Sequence, residues 1–250
     1  MGLTLTSTDL LLVAVLAISL GSLIKGITGM GLPLFAVPAL ASLTTVEEAV
    51  VLLVFPSLGA NLWLIISHRQ YRQLIKEHVP FVVMGFAGAF VGTWLLQSLA
   101  DRWLKLILVI WLGLYLIQYF RDRDALRVFG ANRKMAYPLG AAAGIVQGAS
   151  GLSGQVVGPY FHARGLSRHP YAFAVAFTFF VLSIAQFTAM TNLDLLTAER
   201  TQMSLLALVP TLVFTQIGIA MSSKVSHAVF TKVLITTFIL MEIKLIYDII

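Results

Sequence analysis

Charge is missing from this chain over runs long enough to cross a lipid bilayer, and that feature limits what it can fold into more than any other. Uncharged stretches cover residues 10–24, 26–46, 49–67, 79–100, 106–120, 135–161, 170–193, 201–223 and 225–231, the last continuing past Lys232 to Met241. A helix needs ~20 predominantly apolar residues to span a membrane. Of the 250 residues only 11% are charged, whereas a soluble domain carries about a quarter, because its surface must face water. Little chain is left over for a soluble domain. The runs hold long blocks of Leu, Ala, Gly and Phe without the apolar–polar alternation of barrel strands, so they predict helices. The fold class expected is an all-α polytopic membrane protein.

The remaining composition closes off several functions. Met1–Asp9 contains no Lys or Arg, so the first apolar run does not read as a signal peptide. No cysteine occurs, which excludes disulfides, iron–sulfur clusters and thiolate metal sites. The net charge of +6 does not point to nucleic acid, because the basic residues sit in short segments between apolar runs, as the positive-inside rule predicts. There is no GxxxxGK[ST] loop, so ATP hydrolysis is not expected. Paired carboxylates, histidine clusters and hydrolytic triads are missing around the glycine motifs described next, so neither an enzyme nor a cofactor is expected.

The chain repeats itself. Sliding it by 122 positions lays Gly26-Ile27-Thr28-Gly29-Met30-Gly31 over Gly148-Ala149-Ser150-Gly151-Leu152-Ser153, with Gly154 following. Each motif is followed by a Pro-containing apolar stretch, a short polar break and three long apolar runs. The division expected is an N-terminal repeat over 1–120, a basic linker over 121–134 carrying Arg121, Arg123, Arg127, Arg133 and Lys134, and a C-terminal repeat over 135–250. Two Gly-interrupted segments at matching positions are the best sequence pointer to a transporter binding site.

Charge then orients the halves. If each opening segment crosses the membrane once, the Lys and Arg outside Lys25 divide ten against six. If each instead enters, breaks at its Gly motif and returns, they divide twelve against four. Arg69, Arg72, Lys76, the five linker residues, Arg164, Arg168, Lys224 and Lys232 then face Arg102, Lys105, Arg200 and Lys244. The second bias is the stronger positive-inside signal. The architecture expected is therefore two inverted repeats, each a broken, re-entrant helix hairpin followed by three transmembrane helices. The linker lies in the cytoplasm and both termini lie in the periplasm.

Lys25 is the charge within an otherwise apolar opening segment. A charged side chain at membrane depth costs at least ~2.5–3.5 kcal/mol, so it must face a polar cavity or a partner, unless it snorkels to a surface. Beside it, Gly26, Gly29 and Gly31 permit unwound backbone, which is tolerated at membrane depth only inside protein or around water. A helix beginning after such a break offers unpaired N–H groups and a positive dipole end to an anion. Thr28, Ser150 and Ser153 add hydroxyls, Gln147 matches Lys25, and Gly148, Gly151 and Gly154 repeat the glycines. The competing reading is that these glycines only pack helices, as Gly88/Gly92 and Gly140/Gly144/Gly148 are spaced to do. Asn61, mapping onto Ser183, is either a ligand contact or an interhelix hydrogen bond. Gln155, Gln186 and Gln216 are further intramembrane amides, and His68, His162 and His169 fall near helix ends.

These residues give the chain a resemblance to the TauE/SafE sulfite-exporter family of bacterial membrane permeases, also grouped as the four-toluene-sulfonate uptake permeases. It is carried by Lys25-Gly26-Ile27-Thr28-Gly29-Met30-Gly31-Leu32-Pro33, by Phe55-Pro56-Ser57 with Asn61, by Gly85/Gly88/Gly92 and by Gly148-Ala149-Ser150-Gly151-Leu152-Ser153-Gly154. The resemblance implies secondary transport of sulfur-containing anions across the inner membrane, often export linked to sulfonate metabolism. Phe177-Thr178-Phe179-Phe180 departs from the more polar helix expected at that point. The partners expected are a small sulfite- or sulfonate-class anion and the lipid bilayer, with no nucleic acid and with a homodimer as the one assembly considered. An anion channel, or a carrier for another small organic anion, is the alternative.

Overall fold

The computed structural model describes residues 7–121 and 133–221 and scattered positions from 236 to 249; most of the basic linker and of the last apolar run lie outside the described residues. Every regular element among the described residues is helical. In chain order they are α1 (Ser7–Thr28), α2 (Leu32–Ala41), α3 (Val46–Leu52), α4 (Val54–Ser67), a 3₁₀ turn (Arg69–Leu74), α5 (Ile75–Ser98), α6 (Asp101–Arg121), a 3₁₀ turn (Arg133–Met135), α7 (Ala136–Ser150), α8 (Gly154–His162), α9 (Arg168–Asn192) and α10 (Ala198–Met221). The segments Arg69–Ser98, His169–Asn192 and Ala198–Met221 are long and apolar enough to cross a membrane, and α3 with α4 forms a fourth candidate bent by 40°.

That bend has a local cause. Pro56 has no N–H to give to the carbonyl four residues back. The Ser204 hydroxyl donates to that orphaned Leu52 carbonyl instead at 2.7 Å, and accepts from the Phe55 N–H at 3.3 Å. A side chain from α10 is thus built into the helix ladder where proline opens it.

The helices wear their apolar residues outward. On α10 the buried face is Ser204, Ala207, Thr211, Thr215 and Gly218, while Leu206, Val209, Val213 and Ile217 are exposed. This is the pattern of a helix whose outside meets lipid and whose inside relies on close packing of small residues. The tightest case is α5 against α7. A Cβ on Gly88, Gly92, Gly140, Gly144 or Gly148 would collide with a backbone carbonyl of the facing helix. Between α1 and α10, a Cβ on Gly26 would strike the Thr215 carbonyl, and one on Gly218 the Leu23 carbonyl. The shift of 122 positions carries α1 onto α7, α2 onto α8, α3 and α4 onto α9, and α5 onto α10. It therefore exchanges the α1–α10 pair with the α7–α5 pair.

Both opening segments break and fold back. The Leu32 Cα lies 3.3 Å from where a Cβ of Gly21 would stand, so α2 returns along α1. In the second half Ala136, at the start of α7, shares one apolar cluster with Tyr160 and Phe161, at the end of α8, and with Phe81 of α5. The feet of α7 and α8 are therefore together, near the start of α5. The other end of α5 leads to Asp101, which accepts from the Val46 N–H at 2.7 Å just after α2 has ended. Charges differ between these ends. Glu47–Arg200 and Asp101–Lys105 are paired at the far one. Arg69, Arg72, Lys76 and Arg164 gather at the near one, where His78 and Arg164 both reach the Tyr160 hydroxyl.

Candidate functional site

The two breaks are built by one device used twice. At the first, Gly29 (φ 82°) and Gly31 (φ 121°) take left-handed backbone that L side chains resist. The Thr28 hydroxyl closes the turn, with the Met30 carbonyl at 2.5 Å and the Ile24 carbonyl at 2.9 Å as acceptors for its proton, and it accepts from the Met30 N–H at 3.2 Å. At the second, Gly151 (φ 72°) ends α7, and Ser150 donates to the Val146 carbonyl at 2.9 Å and accepts from the Leu152 N–H at 3.3 Å. Each break is followed by a short helix with no side-chain cap. Gly31 precedes α2, whose first turn contains Pro33, and Ser153 precedes α8, which begins at Gly154. First-turn N–H groups without intrahelical partners remain at both starts.

Lys25 stands one turn before the first break and is 2% exposed. Its Nζ donates to Asn61 Oδ1 at 2.6 Å and lies 5.4 Å from the centre of the Phe179 ring. No carboxylate pairs with it among the described residues. At the corresponding place in the second half Gln147 is also buried, and every contact it makes is to a neutral group. It donates to Gln186 Oε1 at 3.1 Å, accepts from the Ser153 hydroxyl at 2.7 Å, and through its main-chain carbonyl accepts from Gln186 Nε2 at 2.9 Å.

The two breaks meet. A Cβ on Gly151 would lie 3.3 Å from Pro33 of α2, and one on Gly158 of α8 would lie 3.1 Å from Met30 at the first break. Phe179 spans the gap, touching both Lys25 and the position of a Gly154 side chain. Trp111 of α6 pins the second break by donating to the Leu152 carbonyl at 3.0 Å and to Gln155 Oε1 at 2.8 Å.

The sequence-selected residues fall into two groups. Lys25, Asn61, Gly29, Gly31, Gln147, Gly151, Ser153 and Gly154 converge on this junction. Gly26 and Gly148 are in helix–helix contacts, where they allow backbones to touch. The hydroxyls of Thr28, Ser150 and Ser153, expected as open donors, are engaged inside their own breaks. Gln186 belongs to the junction and was picked out only as an intramembrane amide. Its signal was an amide three residues past Ser183, the counterpart of Asn61. Elsewhere Gln216 accepts from Trp63, and His68 pairs with His169 at 3.2 Å, away from the breaks. No group of three metal-ligating side chains occurs among the described residues.

Over residues 13–245 the chain matches the family model described as Sulfite exporter TauE/SafE. The chain belongs to the TauE/SafE family. No curated protein and no solved structure matches it. Family membership, the apolar candidate spans and the outward apolar faces make this TauE/SafE chain a multi-pass membrane protein of a transporter family.

Proposed function

We propose that the junction of the two broken helices binds one small sulfur-containing anion, of the sulfite or sulfonate class, and that the protein carries it outward across the inner membrane by alternating access. One observation carries this reading: Lys25 is buried at depth with only neutral Asn61 as its hydrogen-bond partner among the described residues. An ammonium held away from water without a counter-charge is costly. An anion at the junction supplies that charge, and the uncapped starts of α2 and α8 give it further donors. The family's sulfite-exporter description supplies the chemical class.

The exchange of the α1–α10 and α5–α7 pairs under the repeat shift supports an inverted arrangement of the halves. So does the folding back of each opening segment from a different end of α5. In this reading the end with Arg69, Arg72, Lys76 and Arg164 is cytoplasmic, as is the linker, while both termini are periplasmic. Reporter fusions at the two termini test it, and a cytoplasmic signal at either rejects it. Efflux needs no dedicated coupling acid. An anion leaving the cytoplasm moves down the membrane potential, worth ~2.3 kcal/mol per charge per 100 mV.

The function is tested in proteoliposomes loaded with radiolabelled sulfite. Wild-type protein is expected to release it with saturable kinetics, and Lys25→Ala to release no more than protein-free vesicles. Unsaturable flux at channel rates rejects a carrier. Wild-type flux from Lys25→Ala rejects the site.

A further inference from the structure

Ser183 is fully buried on α9, and its hydroxyl has no hydrogen-bond partner among the described residues. The other hydroxyls of that helix do not behave this way. Thr178, Thr188 and Thr191 each donate to the carbonyl four residues back, at 2.9 Å in every case. This is the usual resolution for a hydroxyl on a membrane helix. A buried hydroxyl left without a partner is costly; Ser22 of α1 and Thr215 of α10 share that state, and it is the position of Ser183 that points to a ligand.

Its place on the helix says which ligand. Ser183 is one turn after Phe179, whose ring lies beside Lys25 Nζ, and one turn before Gln186, whose amide donates to the main-chain carbonyls of Gln147 and Gly148. Residues spaced by four and three share a helix face. Ser183 therefore sits on the face of α9 that looks at both breaks, about 6 Å along the axis from Phe179 and about 4.5 Å from Gln186. In the repeat it occupies the position of Asn61, the partner of Lys25.

We infer that the Ser183 hydroxyl is a direct ligand of the transported anion, donating to an oxygen that Lys25 does not reach, and that it makes the junction prefer a three-oxygen sulfur headgroup to a carboxylate. This rests on the reading of the junction as the anion site. A sulfite or sulfonate group carries three oxygens in a pyramid, so its donors must come from more than one plane. A carboxylate has two oxygens in a single plane. Lys25 approaches from α1, the first-turn N–H groups from α2 and α8, and Ser183 from α9, so a pyramidal headgroup uses them all and a carboxylate leaves one idle.

The test measures sulfite binding to the purified full chain by calorimetry, with methanesulfonate and acetate as competitors. Ser183→Ala is expected to weaken sulfite and methanesulfonate about ten-fold while leaving acetate unchanged, so that the sulfonate-over-carboxylate preference falls ten-fold. Its melting temperature should not fall, because the hydroxyl bonds nothing in the unliganded protein. Thr178→Val, which removes a hydroxyl already bonded to Ala174, should leave the preference intact. An unchanged preference in Ser183→Ala overturns the inference, as does an equal loss for acetate. The anion site itself fails separately, if Lys25→Ala still binds sulfite like wild type.

Discussion

The two broken helices share a left-handed glycine, Gly29 in one and Gly151 in the other, and differ in chemistry, chiefly through one residue of each. At the first, Lys25 reaches Asn61 across 36 positions of sequence and stops there. At the second, Gln147 closes a ring of contacts with Gln186 and Ser153. An amide carries both donor and acceptor, so neutral neighbours can satisfy it completely. An ammonium has only donors and a full charge, so neutral neighbours satisfy part of its hydrogen bonding and none of its charge. Gln147 is therefore satisfied in the empty protein, although the Gln155 Nε2 in the first turn of α8 finds no partner among the described residues, and under the proposed function Lys25 gains its counter-charge only with an anion present. Under the proposed function the first half is the attractive element and the second its wall.

The sharpest way to break this comparison is to remove each residue in turn. Lys25→Ala should weaken sulfite binding by at least about thirty-fold, since losing one member of a buried charge pair costs about 2–5 kcal/mol. Gln147→Ala should act mainly on stability, because it leaves the Gln186 Oε1 and the Ser153 hydroxyl without partners at about 1–3 kcal/mol. Its effect on affinity should stay near ten-fold. Calorimetry and thermal unfolding on both variants decide it, and equal losses of affinity would show that the breaks are functionally alike.

A second comparison lies among the glycines themselves. Gly26→Ala and Gly148→Ala place a methyl against the backbone of a packed helix, which has no side chain to swing away. Overpacking of this kind costs about 1–3 kcal/mol or more, and the two should fall together because they occupy equivalent contacts. Gly154→Ala should be tolerated, since only the Phe179 ring edge stands near, at 4.0 Å, and α8 begins there with ordinary backbone. Thermal unfolding in detergent separates the two classes. A destabilised Gly154→Ala would mean that its hydrogen atom, rather than its freedom to break a helix, is what matters.

These contrasts also mark how far the sequence could be read. The breaks were legible, because Gly29, Gly31 and Gly151 interrupt runs that otherwise propagate helix, and the repeat placed them twice. Lys25 was legible because an isolated charge in an apolar run has few explanations. What could not be read was which glycine turns the chain and which admits a neighbouring helix. Gly26 and Gly29 look the same in a motif, and only the position of α10 against α1 divides them. The partner of Gln147 could not be read from the repeat, for a physical reason. Ser183 is the counterpart of Asn61, but glutamine is shorter than lysine, and the longer Gln186 one turn further on bridges the gap. The bend at Leu53 was also hidden, since it depends on Ser204 reaching the carbonyl that Pro56 leaves orphaned.

The smallest expected effect concerns the paired hydroxyls and tests whether the breaks are alike in construction, whatever their chemistry. Thr28 and Ser150 each have the carbonyl four residues back as an acceptor and accept from the N–H two residues on, and Thr28 also reaches the Met30 carbonyl. Neither proton is free for an anion in this arrangement, so Thr28→Val and Ser150→Ala should lower stability by about 1 kcal/mol apiece, the ordinary net worth of such bonds. Sulfite affinity should move less than three-fold, because the donors that face the junction remain. If the two hydroxyls only close their turns, the losses of stability match and the double variant is additive, as for sites without shared partners. If one of them turns to the ligand when sulfite binds, its variant loses affinity while its twin does not. Comparing melting temperature and sulfite affinity for both single variants and the double one distinguishes these outcomes. A loss of affinity confined to Thr28→Val would place that hydroxyl beside Lys25 in the attractive half of the site.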